Sequence, residues 1–184
     1  MPTYVALLRG INVGRNNRIA MADLREVLGS LGYERIRTHI LSGNAIFSSG
    51  RRGVPGLESE LERALSDRFK LDVRVLIRTA AELAAIVDGN PLPAAASDGS
   101  RFFVLFLDRN PDEERLHAID PTDFAPDEFR VGDRVIYAWY KHGLTGSKLA
   151  GALSDKRLGV TTTARNWNTV TRLVELATDV RAGG

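Results

Sequence analysis

Cysteine is absent from all 184 residues, which excludes disulfides, thiolate nucleophiles and cysteine metal sites and suits a reducing compartment. Histidine is scarce as well: His39, His117 and His142 stand singly, with no second ligand at helix or strand spacing, so no metal site and no cofactor are expected. No apolar run approaches the ~20 residues of a membrane-spanning helix. The opening Met-Pro-Thr-Tyr has neither the basic stretch nor the cleavage site of an export signal, and a soluble cytoplasmic protein is expected. Glycine and proline follow no period, which excludes collagen-like and low-complexity chains. What remains is ordinary globular composition, 43% hydrophobic and 26% charged, in a chain long enough to bury roughly 70% of its unfolded surface.

A formal charge of +2 conceals a polarity. Residues 1–52 hold eight Arg and three acids, and residues 141–172 hold six basic residues and one acid, so each segment carries +5. Residues 53–140 carry −7. Two readings fit: solvated arginines scattered over the surface, or one positive face that attracts phosphate, carboxylate or nucleic acid.

Hydrophobic patterning divides the chain into strands and helices. Tyr4 to Leu8 is a continuous apolar run, as in a strand buried on both faces. Leu24, Val27, Leu28 and Leu31 follow helical spacing and Gly32 supplies a stop. Arg35–Ile40 and Asn44–Ser48 read as a hairpin, 54–69 as a helix, and 72–77 as a strand. This order, βαββαβ with a following helix at 80–87, is ferredoxin-like. After a linker at about 89–99, the second half reads as a strand (102–107), a helix (111–119), a hairpin turning at Gly132-Asp133-Arg134, and helices at 147–156 and 164–178. The expected fold is therefore α+β, with two related subdomains: residues 1–90, ferredoxin-like, and residues 100–184, βαββαα.

Enzymatic motifs are missing. Gly143-Leu144-Thr145-Gly146-Ser147-Lys148 has the wrong spacing and order for a phosphate loop, and there is no Gly-x-Ser-x-Gly elbow. Lys141, His142 and Lys148 are the catalytic candidates by location alone; the catalytic residues stay unknown, and so does whether the protein is an enzyme. Two segments carry residue choices that packing does not explain. Arg9 to Arg18 offers three Arg, three Asn and two Gly, either an anion-binding nest or a turn whose side chains satisfy their own backbone. Thr161 to Val170 reads as a helix start with Thr163 as N-cap. Arg165 then falls in the first turn, where a cation opposes the helix dipole and implies a bound anion or a carboxylate partner. Trp167 fits the core or a stacking platform.

Residues 4–14 (Tyr-Val-Ala-Leu-Leu-Arg-Gly-Ile-Asn-Val-Gly), Met21 with Leu24, Thr38, Ser42-Gly43-Asn44 and Thr163-Ala164-Arg165-Asn166-Trp167-Asn168-Thr169 together resemble the domain of unknown function 1697 family (DUF1697). The hairpin departs from the usual Tyr-Ile-Gln-Ser-Gly-Asn and reads His39-Ile40-Leu41-Ser42-Gly43-Asn44, while Arg15 stands where a second glycine is common. The resemblance implies a bacterial-type protein of two similar subdomains and supplies no activity. Its blocks lie in the two basic segments, so the leading expectation is an anionic, phosphate-bearing small molecule held between subdomains by Arg9, Asn12, Arg15, Asn17, Arg165, Asn166 and Asn168. Nucleic-acid binding, or a protein-interaction module without catalysis, is the alternative. Oligomeric state is not readable.

Overall fold

The computed structural model describes residues 1–14, 17–51 and 53–182, the side chains of residues 181 and 182 excepted. The chain divides into two units, one comprising Met1–Ala85 with Arg172–Gly184 and the other Ile86–Thr171.

In the first unit the apolar run becomes β1 (Thr3–Leu8), all six residues of which are buried. It lies between β3 (Asn44–Ser48) and β4 (Val75–Thr79), and β2 (Glu34–His39) adds to β3, giving an antiparallel sheet in the order β2-β3-β1-β4. Alternation along β1 sends Tyr4, Ala6 and Leu8 into a core with α1 (Met21–Ser30) and α2 (Val54–Phe69). Leu24, Val27 and Leu28 from α1 and Leu57, Leu61 and Leu65 from α2 form the facing apolar stripes. Tyr33 stacks on Phe47 at 4.4 Å between ring centroids, and its hydroxyl donates to Glu60 at 2.8 Å. The alternate residues Val5, Leu7, Ile46 and Leu76 are buried too.

β4 is an edge strand, and α2 closes that edge with side chains. Val75 N donates to Glu62 Oε1 at 2.9 Å and Ile77 N to Glu58 Oε1 at 2.8 Å, while Thr79 N donates to Glu82 Oε2 of α3 (Ala80–Asp88) at 2.8 Å. Alternate edge amides thus meet carboxylates one helical turn apart, instead of remaining open to another strand.

The second unit begins with a 3-10 helix at Pro93–Asp98, which buries Ala95 within the segment expected to be a linker. β5 (Phe102–Leu107) is its central strand, followed by α4 (Glu113–His117) and a hairpin of β6 (Glu128–Gly132) and β7 (Val135–Trp139). The expected helix at 147–156 is two pieces, α5 (Lys148–Ala152) and α6 (Asp155–Leu158). The last helix also begins later than expected. Thr162–Asn166 is a strand, β8, antiparallel to β5, and α7 runs over Trp167–Ala182. Thr163 is therefore not an N-cap. Asn166 is, accepting from Thr169 N at 2.9 Å. β-branched Thr162 and Thr163 suit the pleated edge, and the asparagine after them is the better cap.

With β8 in place the second sheet has the order β6-β7-β5-β8, the same as β2-β3-β1-β4. The expected βαββαα is corrected to βαββααβα, so both halves carry the ferredoxin-like pattern and a following helix. The α+β architecture in two similar subdomains stands.

Candidate functional site

In the first unit, the loop after β1 turns through left-handed backbone at Gly10 (φ 67), Asn12 (φ 56), Gly14 (φ 63) and Asn17 (φ 51). Asn12 is its brace. Its Nδ2 donates to Ile19 O at 2.9 Å and Leu41 O at 2.7 Å, and its Oδ1 accepts from Ile19 N at 2.9 Å. Asn17 Nδ2 donates to Gly10 O at 3.3 Å. The Ser42-Gly43-Asn44 block meets this loop directly: Leu8 N donates to Gly43 O, and a Cβ at Gly43 (φ 82) would sit 2.8 Å from the Ile11 side chain. Asn44 Nδ2 donates to His39 O and Ser42 Oγ, both at 3.1 Å. Asn12 thus locks the loop to the hairpin, and Asn44 braces the hairpin itself. Arg9 is exposed at the mouth of the loop, and Arg15 lies outside the described residues.

In the second unit, Arg165 sits in β8 opposite Val104, not in a helix turn, so the dipole argument for an anion there lapses. It is only 8% exposed, and Nη1 donates to Thr163 Oγ1 at 2.9 Å and Ala164 O at 2.8 Å. Burial lowers its pKa to about 10, which leaves it charged at neutral pH. Asn166 caps α7. The Asn168 side chain lies on Gly99, where an added Cβ would fall 2.1 Å from Oδ1. Trp167 packs on Phe102 at 4.9 Å and is a core residue.

Arg78, which sequence reading passed over, is the counterpart of Arg165. It stands in β4 opposite Val5, is 2% exposed, and donates from Nη1 to Ile77 O at 3.0 Å. An arginine flanked by Leu76, Ile77 and Thr79 was the available signal.

Among the catalytic candidates, Lys141 pairs with Glu128 at 2.7 Å and lies over the Trp139 ring at 4.4 Å. Asp127 accepts from Lys141 N and Ser147 Oγ. His142 is exposed and lines a shallow cavity together with residues 123–127, 143 and 145–149. No group of three His, Asp or Glu is placed to hold a metal among the described residues.

Lys148 lines a cavity of about 590 Å³ in the second unit, walled by α4, α5 and α6. Ala118, Ile119, Phe124, Gly151 and Ala152 supply an apolar lining, and Arg115, Lys148, Lys156 and Arg157 supply four cations with no acid among the lining residues. Arg115 is fixed by donating from Nη1 to Arg157 O at 3.1 Å and by crossing Gly159, whose left-handed backbone (φ 70) has no Cβ to obstruct it. Its Nε lies 3.8 Å from the exposed carboxylate of Asp112. Asp155, the acid of α6, is turned onto Thr162, accepting from its N at 3.1 Å and its Oγ1 at 2.7 Å. The arrangement can hold an anion over an apolar surface. Three of the four cations come from the basic 141–172 segment; Arg115, from the acidic middle, carried no sequence signal.

No helix is long and apolar enough to cross a membrane among the described residues. No curated protein matches the chain. Among solved structures, the chain is similar to the conserved bacterial protein SP0830 from Streptococcus pneumoniae, with a TM-score of 0.74 and 24% identity over 96% of this chain and 98% of that one. That likeness concerns the fold alone. The family model for a protein of unknown function (DUF1697) matches residues 1–137, which includes every resembling block except Thr163–Thr169 and the whole first sheet, and the chain belongs to this family.

Proposed function

We propose that this protein binds an anionic, phosphate-bearing small molecule with an apolar portion, in the cavity between α4, α5 and α6. The observation that carries this reading is the convergence of Arg115, Lys148, Lys156 and Arg157 on an apolar lining. Four like charges around one concavity repel one another, and an anion relieves that cost while gaining from focused field. Ile119 and Phe124 add apolar contact that a bare inorganic ion would not use.

A thermal-shift screen tests this, with inorganic phosphate, nucleoside monophosphates and aryl phosphates as probes. A ligand at 100 times its dissociation constant stabilises by about 2.7 kcal/mol. The proposal requires a larger shift for the organic phosphates than for phosphate, lost in Lys148→Gln/Lys156→Gln, whose exposed side chains leave the fold intact. A shift retained in that variant places the ligand elsewhere.

A further inference from the structure

The loop and hairpin locked together by Asn12 carry an apolar tip that the proposed cavity does not use. Val13 and Leu41 are each 70% exposed and Ile40 is 50% exposed, three of the six large hydrophobic side chains most open to solvent among the described residues. They are neighbours, because Asn12 Nδ2 reaches Leu41 O at 2.7 Å. Ile40 holds left-handed backbone (φ 50), unfavourable for a β-branched residue, at the turn that exposes it. The two segments that carry them supply charge of one sign. Arg9 and Arg18 are exposed in the same loop, and neither residues 9–22 nor residues 35–57 contain an acid.

We propose that this tip docks on an anionic lipid surface, with Val13, Ile40 and Leu41 entering the headgroup and acyl boundary and Arg9 and Arg18 meeting lipid phosphates. Aliphatic side chains raised on adjoining turns gain by entering a fluid interface, which needs no preformed cavity to receive them. The absence of acids from both segments gives them complementarity to a negative leaflet. A nucleic acid would satisfy the arginines but leave three aliphatic side chains idle, since bases stack on aromatic rings. The fixed loop-hairpin bonding presents the three side chains together without an ordering cost at the moment of docking.

Vesicle co-sedimentation with the full chain tests this, comparing mixed phosphatidylglycerol and phosphatidylcholine with phosphatidylcholine alone. The wild type is expected on the anionic vesicles and not on the neutral ones. Val13→Ser/Leu41→Ser should lower partitioning about tenfold, and Arg9→Gln/Arg18→Gln should abolish the preference for anionic lipid, with thermal melting unchanged in both. Lys148→Gln/Lys156→Gln should bind vesicles like the wild type, which separates the tip from the cavity. Wild-type protein that stays in the supernatant, equal binding to neutral vesicles, or undiminished binding of the double-serine variant overturns the proposal. So does a salt-sensitive complex with single-stranded RNA that forms in the absence of any vesicle binding.

Discussion

Arg78 and Arg165 hold the same place in the two sheets. Each stands in the edge strand beside its unit's central strand, opposite a valine (Val5 and Val104), is less than a tenth exposed, and donates from Nη1 to the carbonyl of the residue before it. No repeat of residues announces this equivalence; register does. The recurrence places a long side chain that donates to its own strand's backbone at the same register position in both sheets.

For Arg165 the expected contribution is mainly volume and hydrogen bonding. Arg165→Ala should lower the unfolding free energy by about 2–5 kcal/mol, as large-to-small changes in packed interiors do. Arg165→Met, which keeps most of the volume and removes the charge, should lose less than half as much. The pH dependence follows from the lowered pKa. Between about 10 and the ordinary 12.5 the unfolded chain holds the proton more tightly than the folded one, so stability contributed here rises as pH climbs through about 10. Urea titrations of wild type and Arg165→Met at about pH 9 and about pH 10.5 should show their difference moving in favour of the wild type. Movement the other way would mean that Arg165 is stabilised as a cation.

The same two arginines explain where sequence reading stopped. Periodicity located β1, β3, α1 and α2 because apolar residues recur there without interruption. It ended β4 before Arg78 and placed Arg165 in a helix, because a charged residue reads as solvent-facing. At 162–166 it had only five residues, alternating with a cation, and chose the first cap it met, Thr163, over Asn166. The first unit's candidate loop was legible as a special backbone, but its asparagines serve the loop itself. The cavity was half legible: the basic 141–172 segment marked three of its cations, while Arg115 joins them only through packing of α4 against α6.

Asn12 should be the most sensitive residue of the loop. Its side chain makes three hydrogen bonds to backbone, and its φ of 56 is one that asparagine tolerates better than other L-residues. Asn12→Ala loses both advantages and is expected to cost about 2–4 kcal/mol. Asn12→Gly keeps the backbone conformation and should cost about 1–2 kcal/mol less than alanine. Denaturant unfolding of the pair checks the order. Equal losses would show that the bonds alone matter.

The carboxylates along β4 predict a stability and an association phenotype together. Glu58→Ala or Glu62→Ala removes the acceptor from an edge amide and should cost about 1–3 kcal/mol. Glutamine retains an acceptor oxygen and should cost less. In Glu58→Ala/Glu62→Ala the bared edge should also promote concentration-dependent association, read by light scattering, which the glutamine pair does not show. A monomeric double-alanine variant would mean that other groups guard the edge.

His39 gives a test in the acid range. Partial burial, then the charge of Arg172, hold its pKa below the ordinary 6.5. The unfolded chain therefore takes up this proton first: the contribution is full above about 6.5 and is lost as pH falls from there toward the folded value. His39→Gln should remove that slope, so its stability relative to wild type improves between pH 7 and about 5. Arg172→Gln should move the His39 pKa upward without restoring 6.5, since burial is the larger cause and remains. An imidazole proton titration by NMR reads this directly, and a His39 pKa indifferent to Arg172 would place the whole effect on burial.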